Sequence, residues 1–94
     1  MKPTLDDRMA TTDDVLFREL DTEAILLNLK TGVYYGLDPV GTRAWQLVAE
    51  HGTLARVLEI MLDEFEVDRS VLERDLLELA GQLHEAGLCS VARA

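Results

Sequence analysis

Two histidines, one cysteine and 18 carboxylates are the side chains of this 94-residue sequence that could carry chemistry, and their spacing decides whether they do. His51 stands before Gly52, where the pattern predicts a helix end and a partly protonated ring beside the last carbonyls. His84 follows Leu83, between Gln82 and Glu85 on either flank, and reads as solvent-facing. Cys89 lies far along the chain from either histidine. A Cys–His nucleophile would need a tertiary approach that no local pattern announces, so the expectation is a partly buried, inert thiol. Asp63, Glu64, Glu66 and Asp68 cluster between two expected helices and read as a charged loop. They lack the alternating oxygen ligands through a Gly-containing turn that calcium requires. A phosphate-cradling Gly loop, a Gly-x-Ser-x-Gly elbow and a His-Glu-x-x-His helix are all absent. The expectation is no catalysis, no metal and no cofactor. With one cysteine, no internal disulfide forms.

The elements that hold these residues follow from periodicity. Residues 1–12 carry charge and Pro3 without period and read as a flexible N-terminal arm, with one domain over residues 13–94. From Val15 to Leu37 the apolar period is two, which predicts strands at Val15–Leu20, Ala24–Leu29 and Val33–Leu37 in an antiparallel meander. Gly32 supplies the positive φ of the second, tight turn. Tyr34 and Tyr35 are neighbours on the third strand, so they point to opposite faces and one of them is displayed. Register alone decides which.

At Asp38-Pro39 the period changes to helical: Asp caps, and Pro needs no N–H in a first turn. A helix is predicted from Pro39 to about Glu50, with Trp45 as the largest core anchor and Gly41 as a close-packing point. Thr53 is expected to cap a second helix, Leu54 to Phe65. A third begins at Asp68 or Ser70, with Ser70 and Glu73 as a capping box, and ends near Ala86 before Gly87. Its stripe of Leu72, Leu76, Leu79 and Leu83 is the buried face. Leu88–Val91 reads as a short closing segment. Three strands followed by three helices make an α+β, winged helix-turn-helix-like plan, in which one helical layer covers the apolar face of the meander.

Charge narrows the function. The chain carries a net −9, spread evenly: four Lys+Arg against eight Asp+Glu up to Pro39, and five against ten thereafter. Such a surface repels phosphate backbones. No apolar run approaches the roughly 18 residues of a membrane span, and the N-terminus lacks the apolar stretch of a signal peptide. The expectation is a cytoplasmic protein with neither nucleic-acid nor membrane partners.

The order Leu26-Leu27, Thr31-Gly32, Tyr34-Tyr35, Leu37-Asp38, Gly41, Ala44-Trp45 and Leu47 resembles the PqqD-like family, named after pyrroloquinoline quinone biosynthesis protein D. Thr53, the Leu62–Val67 segment, Asp75, Leu79, Leu83 and Gly87-Leu88 continue the resemblance, which covers about Val15 to Val91. Asn28-Leu-Lys-Thr-Gly32 looks closer to stand-alone members, including those that serve lasso peptide and radical-enzyme pathways. The resemblance implies a domain that binds the leader region of a ribosomal precursor peptide as an added strand and presents it to a modifying enzyme, such as a radical S-adenosylmethionine enzyme or a peptide maturase. It implies a site along the third strand, Val33, Tyr34, Tyr35, Gly36 and Leu37, facing Arg74, Asp75, Leu77, Glu78 and Gly81 of the third helix. Leu77 and Asp75 are the favoured readers of apolar or basic leader residues.

Two alternatives stand beside it. A homodimeric scaffold would pair its open strand edge with a second copy. A winged-helix DNA-binding protein would send the third helix into a groove, but Ser70–Ala86 carries one Arg against Glu73, Asp75, Glu78 and Glu85, and that charge opposes DNA.

Overall fold

A computed structural model describes residues 2–92; Met1, Arg93 and Ala94, assigned above to the arm and to the end of the domain, lie outside the described residues. The chain runs β1 (Arg8–Thr11), β2 (Val15–Leu20), β3 (Glu23–Asn28), β4 (Tyr34–Leu37), α1 (Pro39–His51), α2 (Leu54–Glu64), α3 (Arg69–Glu85) and β5 (Cys89–Ala92). β2, β3 and β4 form the expected meander, antiparallel and in that order. Leu20 pairs with Glu23, which leaves a two-residue turn where Asp21 takes φ 65°; Asp tolerates this left-handed region better than most residues. In the next turn Gly32 adopts φ 77°, and its N–H donates to the Asn28 carbonyl at 2.8 Å.

Alternation along the strands sends Phe17, Leu26 and Tyr35, which are register partners, to the helix side of the sheet. Phe17 stacks on Trp45 of α1 with ring centroids 6.5 Å apart. The core continues through Leu47, Leu54, Leu58, Met61 and Leu83, all essentially inaccessible to solvent. Sheet and helices thus make the α+β, two-layer architecture expected from the periods.

Helix starts depart from expectation in an instructive way. Asp38 caps α1 as read, its Oδ1 accepting from the Gly41 N–H at 2.7 Å. Thr53 makes no side-chain cap on α2; its hydroxyl instead accepts from Arg8 Nη1 at 3.2 Å. The free N–H groups of α2 are satisfied by main chain: Leu54 N–H donates to the Asp7 carbonyl at 3.1 Å and Ala55 N–H to that of Leu5 at 2.9 Å. Of the two starts expected for α3, Asp68 is the N-cap, without a side-chain cap bond, and the Ser70–Glu73 capping box does not form because Ser70 lies two residues inside the helix.

The N-terminal segment is therefore not the flexible arm of the sequence reading. β1 pairs antiparallel with β5, Met9 opposite Val91, and Met9 is 4% exposed. The run Arg8–Thr11 is too short to show a period, and its partner lies about 80 residues away. Asn28 is a second unanticipated tie: its amide donates to the Gly87 carbonyl at 2.9 Å while its Oδ1 accepts from the N–H groups of Lys30 and Thr31. One buried polar side chain thereby joins the β3–β4 turn to the turn that follows α3.

Candidate functional site

β4 has a neighbour on one side only, so its outer edge is unpaired by any described strand. The ladder tells which groups that edge offers. Asn28 N–H donates to the Val33 carbonyl. Antiparallel pairs alternate, so Tyr35 and Leu37, opposite Leu26 and Ala24, turn their main-chain groups toward β3. Tyr34 and Gly36 turn theirs outward. Four backbone groups, two N–H and two C=O, are therefore presented along an edge that begins at the Gly32 turn and ends at the Asp38 cap.

Beside this edge a groove of about 400 Å³ opens between β4 and α3. Leu37, Ala44, Met61, Leu72 and Leu76 make an apolar floor. One wall is Tyr35 and Gly36; the other is Asp75, Glu78, Leu79 and Gln82 from α3; Asp38, Val40 and Gly41 lie at the start of α1. The Tyr35 hydroxyl donates to Gln82 Oε1 and bridges the two walls over the last turn of α3. Gly41 matters by its lack of a side chain, since a Cβ there would stand 3.2 Å from Asp38 Oδ1 and 3.3 Å from Leu37 Cδ2. No Lys or Arg lines the groove among the described residues, so its electrostatic character is set by the carboxylates of Asp38, Asp75 and Glu78, with Arg74 beside Asp75 at 3.5 Å.

The structure brings together half of the residues read from the sequence. Tyr35, Gly36, Leu37, Asp75 and Glu78 line the groove. Tyr34 is the displayed tyrosine, 73% exposed on the opposite face of the sheet, and Val33 lies before the strand. Arg74, Leu77 and Gly81 do not line the groove: at 100° per residue they fall on the far flank of α3 from Asp75, Leu79 and Gln82. Leu77 packs at the margin of the core, and Gly81 faces Pro3 of the N-terminal segment. The lining residues outside that reading are Leu72, Leu76, Leu79 and Gln82 on α3, Asp38, Val40, Gly41 and Ala44 from the start of α1, and Met61 of α2. The three leucines were visible as a periodic stripe, and the stripe simply runs out of the core into the groove.

The residues first suspected of chemistry stand apart. Cys89 is buried on β5, and burial pushes its thiol up to about 11, so at neutral pH it is protonated and a poor nucleophile. His84 is half-buried rather than solvent-facing, and its Nδ1 is enclosed without a hydrogen-bond partner among the described residues. His51 Nε2 lies 3.9 Å from its neighbour Glu50. No three His, Cys, Asp or Glu side chains are grouped to hold a metal among the described residues. Arg43 and Glu64 instead form a structural pair between α1 and α2, with two hydrogen bonds of 2.7 Å. The guanidinium holds the Glu64 carboxyl below its usual range.

Comparison with known proteins places this geometry in context. Residues 23–88 match the family described as Coenzyme PQQ synthesis protein D (PqqD). The fold is similar to that of TbiB1, solved in complex with the TbiA(beta) leader peptide, with TM-score 0.80 and 36% identity over 86% of this chain and 94% of that one. A lasso peptide synthetase B1, solved with its leader peptide, is similar at TM-score 0.75 and 25% identity, covering 90% of this chain and 98% of the other. No curated protein shows a significant match.

Proposed function

The chain belongs to the PqqD family, and from that premise we propose that it is a non-catalytic recognition element: it captures the leader region of a ribosomally made precursor peptide as an added strand on β4 and presents the peptide to a modifying enzyme. The observation that carries the reading is the conjunction of an unpaired edge strand and an apolar groove beside it, in a chain similar to two proteins solved with leader peptides. The enzyme served is of the radical S-adenosylmethionine or peptide-maturase kind, and the exchange takes place in the cytoplasm.

Magnitudes say how the two parts divide the work. Four edge hydrogen bonds at about 0.5–1.5 kcal/mol each contribute roughly 2–6 kcal/mol. A micromolar complex needs about 8 kcal/mol beyond the costs of ordering a flexible segment. The difference must come from side chains entering the groove, at about 1.5–3 kcal/mol for each large apolar group fully buried. The ligand is accordingly an extended peptide with two or more apolar anchors at alternate positions. A basic residue near Asp75 and Glu78 would help set its register.

The test is a ¹⁵N–¹H NMR titration of the labelled protein with the synthetic leader encoded beside its gene, and with a scrambled version. Shifts concentrated at Tyr34–Leu37 and along Leu72–Gln82 for the true leader alone are expected. Equal shifts for both peptides, or shifts confined to other elements, would overturn the reading.

A further inference from the structure

The helices cover one face of the β2-β3-β4 sheet, and no described residue covers the other. Alternation places Leu16, Arg18 and Leu20 of β2, Ile25 and Leu27 of β3 and Tyr34 of β4 on that outer face. Register makes them contiguous: Leu16 opposes Leu27, Leu27 opposes Tyr34, and Arg18 opposes Ile25. Exposures are 44% for Leu16, 53% for Leu20, 39% for Ile25 and 73% for Tyr34, and Leu29 extends the band at the hairpin end. The water-facing side of an antiparallel sheet is normally polar. Strand propensity does not explain this one, because Leu is not among the favoured strand formers and Thr would serve β-structure without exposing apolar surface. The band presents on the order of 500 Å² of apolar area, within the roughly 300–600 Å² of the largest patch on a typical monomer, which is often functional.

We propose that this outer face is the docking surface for the modifying enzyme, a partner with an apolar patch and a basic rim; the inference rests on the peptide-binding reading above. Two observations choose that occupant. The first is continuity. Tyr34 offers its backbone to the free edge and its side chain to the outer face. A peptide strand on β4 widens the same sheet, and every second side chain of the peptide emerges on the face in question. A partner seated there touches the peptide directly. The second is charge. Asp14 and Lys30 cancel as a pair at 3.4 Å, and Asp21 and Glu23 then outweigh Arg18 across the face and its rim, on a chain of net −9. A second copy would bring acid against acid; a basic-rimmed enzyme is drawn in.

Leu16 and Leu20 lie on β2, two strands from the peptide edge, so they separate the two surfaces. The experiment compares wild type with Leu16→Lys/Leu20→Lys in calorimetric titrations against the synthetic leader and against the purified modifying enzyme encoded beside the gene, with light scattering for mass. The expected result is a leader Kd within about twofold of wild type, enzyme affinity reduced at least about tenfold, and a monomeric mass for both proteins. Three results overturn the proposal: enzyme affinity unchanged by the substitutions, no association of enzyme with wild type, or a wild-type dimer that the substitutions dissociate, which would assign the face to a second copy. Failure of the leader to bind wild type is a separate outcome, and it removes the peptide reading and this inference together.

Discussion

Two adjacent tyrosines carry opposite duties, and the difference is one residue of register. Tyr35 closes the groove wall and reaches Gln82, whereas Tyr34 stands 73% exposed on the other face. Replacing Tyr35 by Ala removes groove wall, so leader affinity should fall at least about tenfold, the loss of roughly one buried anchor. Tyr34→Ala should leave it within about threefold. Fluorescence anisotropy with a labelled leader measures both, and equal losses would mean that the groove is not where the peptide lies. The sequence showed that the pair must split but held nothing to choose between them, because the choice depends on Leu26 facing Tyr35 across the ladder. Asn28 was equally hidden. Its role arises only when residue 87 is brought beside it, a meeting that no local pattern encodes.

At the scale of elements, strands and helices with a clear period were legible, and those held by distant partners were not. β2 was read to the residue, β3 and β4 to within one, and Asp38-Pro39 announced α1 correctly. β1 was missed because four residues with one buried side chain have no period to read; Thr53 does stand at the α2 N-cap, but main chain from Leu5 and Asp7 does the work expected of its side chain. The same ambiguity affected the site: Leu72, Leu76 and Leu79 have one spacing whether they face a core or a groove. Two predictions belong here. Met9 is a core residue, so Met9→Ala should cost about 2–5 kcal/mol and lower Tm by well over 5 °C or so in a domain this small; a flexible arm would show no shift by thermal circular dichroism. Gly36 directs its N–H outward, and a Cβ there meets nothing within 4 Å. Gly36→Pro therefore deletes an edge donor without touching the ladder to β3. Leader affinity should fall about tenfold while Tm moves by only a few degrees, and unchanged affinity would argue against strand addition on β4.

For the whole molecule, two groups outside the groove, Glu64 and Cys89, tie stability to pH. The Glu64 carboxyl is lowered by Arg43, so its contribution is present above the ordinary carboxylate range and is lost as pH falls through the lowered value. The pair is partly solvated, which keeps this limb shallow. Cys89 is raised to about 11 by burial; its contribution is complete below the unfolded thiol value of about 8.5 and is lost as pH climbs toward 11. Denaturant melts across pH should show a plateau between these limits, with Cys89→Ala flattening the alkaline fall and Glu64→Gln the acid one. A profile that Cys89→Ala leaves unaltered would show that the thiol is not the alkaline limit. The shape of β4 has one more consequence. An open strand edge is a template on which other chains can stack into fibrils. Here the template is two outward residues long, cut off by a glycine turn at one end and a capped helix at the other. A ladder so short gains little without something to fill the groove beside it, so the β4 edge of an unoccupied chain is a poor seed for stacking even at high concentration.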